Sequence, residues 1–441
     1  AEPFAEGQPK ERALHLDLRA SDESRALRHA FFAERAVAKP ADIKGGTPRD
    51  IRTIAVVGGG LMGAGIAGAC LSAGLTVTII ERNEDAANAA QDRVAGLIAG
   101  ALKRGKIDQA KHDAQLAAFS ARVGYDAAAT ADLAIEAVFE DVAVKQAVFA
   151  ELAAVMAPDA ILATNTSYLD PREIFAGIDT PARCLGLHFF SPAHIMKLLE
   201  VVKLPETSQD TLATAFALAK RLRKVAVLSG ICDGFIGNRM LAAYRRAAEY
   251  MLADGALPGQ IDAAMRAFGM AMGPFEAQDM GGLQIAEANR RRQDATRPAT
   301  ERYVTIADQL CAAGRLGMRT GKGWYSYAEG SRTPIEDPDV TEIITRYAQD
   351  NGITRRTYTQ DEVQAQLLAV LANEGARIVE EGIAESDAAV DVVKLHGYGF
   401  PRWRGGPMCA AETAGHNAIT QALDALDQQS PGAWVRAARY H

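Results

Sequence analysis

The sequence lacks any cysteine pattern that would staple or metallate it. Its five cysteines, Cys70, Cys184, Cys232, Cys311 and Cys409, are odd in number, scattered and without a C-x-x-C pair. That spacing supports neither a disulfide framework nor a zinc site, and a reducing compartment suits such thiols best. No apolar run reaches membrane-spanning length without a charge or glycine interrupting it, and the N-terminus is polar rather than signal-like. The chain is therefore expected to be soluble and intracellular, with a cytoplasmic location and no membrane span. Positive charge is also short: the net charge is -7, and compact cationic clusters such as Lys103-Arg104-Gly105-Lys106 and Arg290-Arg291-Arg292 are short. Nucleic acid is not an expected partner. The C-terminal Ala438-Arg-Tyr-His441 is no S-K-L address.

What is present is enough apolar material for large cores: 48% of 441 residues are hydrophobic, which predicts roughly two to four domains. The most informative stretch runs from Ile51 to Gly74, an apolar strand, a glycine-rich turn and a helix start. The spacing Gly58-x-Gly60-x-x-Gly63 gives each glycine its own physical role, respectively a tight turn, close backbone approach to a phosphate, and close packing of helix on strand. A helix N-terminus with unpaired N–H groups then faces a pyrophosphate. The next strand, Leu75 to Ile80, ends in Glu81, whose carboxylate can accept hydrogen bonds from adenosine ribose hydroxyls and so favours NAD over NADP. Arg82 beside it could pair with a 2′-phosphate, though Glu81 would repel that group.

Residues 1 to 50 are polar and contain one helical candidate, Ser21 to Val37, with Leu27, Phe31 and Phe32 on an apolar stripe ended by Pro40. From Ile51 to about Ser229, strands at 133–138, 160–165, 184–190, 197–204 and 224–229 alternate with helices. This predicts an α/β, Rossmann-type doubly wound sheet rich in parallel strands. After Gly230 amphipathic helices take over, and the chain repeats itself. Asn238 to Gly282 resembles Ala365 to Gly415: a long helix ends in Asp254-Gly255 or Glu381-Gly382, a short helix carries Asp262 or Asp391, and a Gly/Pro segment follows, Gly273-Pro274-Phe275 or Gly405-Gly406-Pro407. The expected segments are a linker helix at 1–50, a cofactor domain at 51–229 and two duplicated all-helical domains at 230–330 and 331–441. The stretch from Glu329 to Thr341 joins the two copies.

Two segments that close strands look chemical: Thr164-Asn-Thr-Ser167 and Gly186-Leu-His188-Phe-Phe-Ser-Pro. Glu200, in an apolar strand twelve residues after His188, must point outward or be paired, because burying it alone is costly. Paired with His188, it would orient the imidazole and stabilise its protonated form, as a general base requires. Without that pairing His188 is a satisfied core histidine. Asn238 either donates to a substrate carbonyl or caps a helix. Lys103, Arg104 and Lys106 either clamp phosphates or solvate a helix face.

Together, GGGLMG at 58–63, Glu140-Asp-Val-Ala-Val-Lys145, Asn165-Thr-Ser167, Leu187-His188-Phe-Phe-Ser-Pro, Lys197-Leu-Leu-Glu200-Val-Val, Asp233-Gly-Phe-Ile-Gly-Asn238-Arg, Met272-Gly-Pro-Phe275 and Thr320-Gly-Lys-Gly-Trp-Tyr325 resemble, in order and spacing, the L-3-hydroxyacyl-CoA dehydrogenase family. The resemblance covers about Ile51 to Tyr327. The duplicated helical region is similar to the dehydrogenase half of multifunctional fatty-acid β-oxidation enzymes, and Arg25 to Arg35 to the linker helix after their hydratase domain. The resemblance implies His188 as catalytic acid/base paired with Glu200, and Ser167 and Asn238 as groups that bind and orient the substrate. It implies Gly58, Gly59, Gly60, Leu61, Met62, Gly63, Glu81, Glu140, Lys145 and Ser167 as contacts to NAD. Apart from the resemblance, the cationic patch makes Arg104, with Lys103 and Lys106, the candidate clamp for the phosphates of coenzyme A. Three positions depart from the pattern: Glu81 stands where Asp is common, Ser191 where Asn is common, and Arg319 where short relatives carry lysine.

The implied reaction is oxidation of (S)-3-hydroxyacyl-CoA to 3-oxoacyl-CoA. Rival readings are a dehydrogenase of a non-CoA 3-hydroxy acid of the L-gulonate type and a catalytically silent NAD-binding scaffold. The 50 residues before the cofactor strand are too few for a hydratase domain, and a start at Ala1 suits a processed or excised product. A hydratase domain or a thiolase is therefore an expected partner, with exposed Phe31 and Phe32 as its docking residues. The second helical copy has Ala365 at the position of Asn238 and is expected to be a structural buttress.

Overall fold

The computed structural model describes residues 2–297 and 301–441. Its centre is an eight-stranded sheet: β1 Thr53–Val57, β2 Thr76–Glu81, β3 Phe119–Val123, β4 Leu133–Glu136, β5 Ile161–Thr164, β6 Cys184–Phe189, β7 Leu198–Val202 and β8 Val225–Ser229. The order is β3-β2-β1-β4-β5-β6-β7-β8. Neighbours are parallel except β6 and β7, which are antiparallel. Such strands are covered on both faces, and β4 to β7 accordingly read as near-continuous apolar runs. One apolar layer joins the sheet to the helices Leu61–Ser72, Glu84–Lys103 and Gln209–Arg221; the other joins it to Val142–Val155.

Strand β3 was not expected. It is an edge strand of sequence FSARV with only Phe119 buried, so no apolar alternation marks it. The N-terminal region also differs from the single helix expected there. Two helices form, Phe4–Ala20 and Asp22–Val37; the first contains Pro9 and buries no residue, so it shows no amphipathic stripe. Phe31 and Phe32 are 44% and 62% exposed, and the Arg35 guanidinium lies over the Phe31 ring.

The two helical copies run in the same order. Gly237–Asp254, Pro258–Phe268, Pro274–Gly281 and Leu283–Gln293 are matched by Gln360–Glu380, Asp387–Gly397, Pro407–Ala414 and His416–Gln429. In both copies a glycine and a proline open the third helix, and the aspartate on the second, Asp262 or Asp391, is fully buried. The segment between the copies ends earlier than expected, because Asp337 caps a further helix, Pro338–Asp350.

Packing groups these segments otherwise than in sequence order. One compact unit comprises Ala30–Arg239 and Glu381–Tyr398; the other comprises Ala1–His29, Met240–Glu380 and Gly399–His441. In the second unit the copies buttress each other: Pro258–Phe268 packs on Gln360–Glu380, and Arg355 donates to the carbonyls of Leu252, Gly255 and Ala256. In the first unit the helix Asp387–Gly397 packs on β7 and β8.

Candidate active site

The glycine turn lies between β1 and the helix Leu61–Ser72. Gly58 has φ +96°, and a Cβ there would meet the Ala137 carbonyl at 2.8 Å. A Cβ on Gly63 would strike the Gly58 carbonyl at 1.8 Å, and one on Gly59 the Ala90 methyl at 2.3 Å. Gly60 meets nothing within 4 Å, so open space lies beside the helix N-terminus. No side chain caps that terminus, which leaves its first N–H groups free to hold an anion. Glu81, at the end of β2, accepts from the N–H of Gly59 at 2.6 Å and of Arg82 at 3.2 Å. Turn and carboxylate together suit the pyrophosphate and ribose of a dinucleotide.

A buried ionic network underlies the next loop. Lys145 is 1% exposed, and its ammonium lies 2.6 Å from Glu136 and 3.2 Å from Glu140. Glu136, wholly buried, also accepts from the Thr164 hydroxyl and the Val138 N–H. Glu140 accepts from the Thr166 hydroxyl at 2.6 Å and the Ser167 N–H at 2.8 Å. Burial pushes its carboxyl up, but the Lys145 ammonium and these donors outweigh that and leave its pKa below the usual value. The network thus shapes the turn that carries Ser167. Asn165 joins this loop to the next strand by accepting the Phe189 N–H at 2.8 Å.

The antiparallel register of β6 and β7 sets His188 opposite Glu200. The His188 Nδ1 lies 2.7 Å from Glu200 Oε2, with the side chains 4% and 0% exposed. The carboxylate's other oxygen accepts the Gly237 N–H at 2.9 Å. Both oxygens of this buried acid are therefore engaged, as its burial requires. With Nδ1 held by Glu200, Nε2 is the ring atom left for proton exchange. The Phe190 and Phe235 rings flank the imidazole at 4.5 and 5.7 Å.

Asn238 lies in the first turn of Gly237–Asp254, not at its cap. Its Oδ1 accepts the Tyr398 hydroxyl at 2.9 Å, which rules out the helix-cap reading. Arg104 is exposed at the end of Glu84–Lys103, with its guanidinium folded back toward Gly100. Arg104, Lys106 and Lys224 lie close enough to His194, on the loop after β6, to help lower its pKa, although burial is the larger cause. Two residues, Glu136 and Tyr398, stand outside the sequence reading. Glu136 carried the same signal as Glu200, a carboxylate in an apolar run; Tyr398 carried none, and only the fold connects it to the site, whereas Thr164 belongs to the segment singled out in the sequence and proves to be a partner of Glu136.

Fold and site define a dehydrogenase dependent on a nicotinamide dinucleotide. Residues 53–232 match the profile of the 3-hydroxyacyl-CoA dehydrogenase NAD binding domain, and residues 234–327 that of the 3-hydroxyacyl-CoA dehydrogenase C-terminal domain. The chain belongs to the 3-hydroxyacyl-CoA dehydrogenase family. It is 39% identical to the peroxisomal bifunctional enzyme of Cavia porcellus over 97% of its own length and 61% of that protein, so it spans about three-fifths of such relatives. The (S)-3-hydroxybutyryl-CoA dehydrogenase PaaH1 of Ralstonia eutropha is 31% identical with a TM-score of 0.59, covering 63% of this chain and all of that one, 100%. The dehydrogenase part of multifunctional enzyme 1 from C. elegans is 27% identical with a TM-score of 0.68, covering 93% and 96%. No helix among the described residues is long and apolar enough to cross a membrane.

Proposed function

We propose that the chain catalyses the reversible NAD-dependent oxidation of an (S)-3-hydroxyacyl-CoA to the 3-oxoacyl-CoA, a step of fatty-acid β-oxidation. The observation that carries the reading is the buried His188–Glu200 pair, built across β6 and β7 in a sheet that also carries the dinucleotide turn. His188 Nε2 takes the proton of the C3 hydroxyl, and Glu200 stabilises the imidazolium so formed. The Asn238 amide and the Ser167 hydroxyl hold the C3 oxygen and the thioester end in place. When bound, NAD supplies the acceptor for the C3 hydride. One hydroxyl proton and one hydride leave the substrate together, giving the ketone, NADH and a proton.

Glu81 selects NAD by binding the ribose hydroxyls and repelling a 2′-phosphate. Gly58 to Gly63 hold the pyrophosphate, while Lys145 acts through Glu140 on the nicotinamide side. Arg104, with Lys106, binds the phosphates of coenzyme A. The assigned segments are a linker at 1–50, the cofactor domain at 51–229 and helical domains at 230–330 and 331–441. A hydratase domain or a thiolase is the partner that would exchange substrate with this site. Relatives carry peroxisomal and glyoxysomal names; for this chain the scattered cysteines without a C-x-x-C pair support a reducing, cytoplasmic setting.

The test follows loss of NADH absorbance with acetoacetyl-CoA, free acetoacetate, and NADPH in place of NADH. Fast oxidation only with the CoA ester and NADH is expected. Equal rates with free acetoacetate, or none with NADH binding intact, would overturn the reading in favour of a non-CoA substrate or a silent scaffold.

A further inference from the structure

We infer that Tyr398, supplied by the second helical copy, is a positioning residue that fixes the orientation of the Asn238 amide. This rests on the reading of Asn238 as a substrate-binding group. The Tyr398 hydroxyl donates to Asn238 Oδ1 at 2.9 Å. An amide whose oxygen is so engaged turns its Nδ2 donors away from the phenol, the orientation needed to hold the C3 oxygen of hydroxyl or ketone.

The surroundings are built for this contact. A Cβ at Gly237 would lie 2.4 Å from the Tyr398 hydroxyl oxygen and 2.5 Å from a ring carbon, so only glycine lets the phenol lie there. The same Gly237 gives its N–H to Glu200. One residue thus touches both the catalytic pair and the phenol. The ring itself is held: its edge meets Phe190 at 5.6 Å between centroids, Phe190 packs on His188, and the Lys394 ammonium lies 4.0 Å over its face.

The rest of the segment is tied to the helix start, to the end of β8 and to β7. Glu381 pairs with both terminal nitrogens of Arg239, at 2.5 and 2.9 Å. Ile383 accepts the N–H of Gly230 at 2.8 Å, and Gly397 packs so closely on β7 that a Cβ would lie 2.5 Å from Leu198. The segment Glu381–Tyr398 therefore grips residues 237–239 from two points, Arg239 and Asn238. The copy that lacks its own counterpart of Asn238 completes the site of the first rather than only buttressing it.

The experiment is a double-mutant cycle on the full chain with Tyr398→Phe, Asn238→Ala and the double variant, read as kcat/KM for acetoacetyl-CoA, KM for NADH, and Tm. Tyr398→Phe keeps the ring and its packing. It should lower kcat/KM for acetoacetyl-CoA about 3- to 10-fold, the worth of one hydrogen bond, with KM for NADH and Tm unchanged. Because Tyr398 acts through Asn238, the double variant should be no worse than Asn238→Ala alone. A fully active Tyr398→Phe beside an impaired Asn238→Ala overturns the inference alone, as does full additivity of the two losses. A fully active Asn238→Ala overturns the assigned role of Asn238 and this inference with it.

Discussion

A carboxylate inside an apolar strand has to find a partner, and that rule made half of the site legible. Glu200 is flanked by Leu198, Leu199, Val201 and Val202, and the structure pairs it with His188 as its burial demands. Glu136 sits in LAIEAV with the same signal, yet its partner Lys145 reads in the sequence only as a cofactor contact; the structure shows the two as one buried ion pair. The turn glycines were legible because their spacing is dictated by backbone clashes, of which Gly63 against Gly58 is the clearest. Tyr398 was not legible: 160 residues separate it from Asn238, and a lone tyrosine carries no pattern. The His188–Glu200 pair makes a residue-scale prediction. Glu200→Gln keeps the side chain's shape but leaves the imidazolium without its ionic partner, so kcat should fall about 10- to 100-fold, the worth of a charged hydrogen bond. The pH–rate profile should change with it; an unaltered profile would count against the dyad.

At the scale of elements, apolar runs located the interior strands, whose sequences must be apolar on both faces. The half-exposed edge strand β3 and the helix Phe4–Ala20, which buries no residue, were missed for want of that burial. The Gly-Pro segment, legible in the sequence as a repeat feature and a family mark, and the TGKGWYSY segment, legible as a family mark, form one latch. Asp262 accepts from the N–H groups of Phe275 and Glu276 and from the Tyr325 hydroxyl; Asp279 accepts from the N–H groups of Trp324 and Tyr325 and from the Tyr327 hydroxyl. Burial pushes their carboxyls up, to about 7 for Asp262 and about 6 for Asp279. A raised folded-state pKa means the folded chain binds these protons more tightly than the unfolded one. Their contribution is then fully present below about pH 4, the usual carboxylate range, and is lost as pH rises through 6 and 7. Thermal unfolding of the helical unit should therefore shift to lower temperature as pH rises through that window. The limit is about 1.4 kcal/mol per pH unit for each group. Asp262→Asn should cost stability at every pH yet shrink that slope; an equal slope in the variant would contradict the assignment.

At the scale of the whole molecule, the duplication was visible because both copies keep a buried aspartate and a Gly-Pro helix start. How the copies divide between compact units was not, since 381–398 leaves its own copy to pack with the sheet, a choice made by contacts far apart in sequence. The unit that holds the sheet carries the dinucleotide turn, the His188–Glu200 pair and the segment 381–398 of the second copy. On the proposed reading, a proton moves through His188 while hydride passes between substrate and nicotinamide. The most direct test is the rate of NADH oxidation by acetoacetyl-CoA in the native chain and in His188→Gln, with NADH affinity measured alongside. Rapid turnover is expected in the native chain, with a kcat lower by about 10² to 10⁴ in the variant at nearly unchanged NADH affinity. Near-native turnover in His188→Gln would contradict that reading.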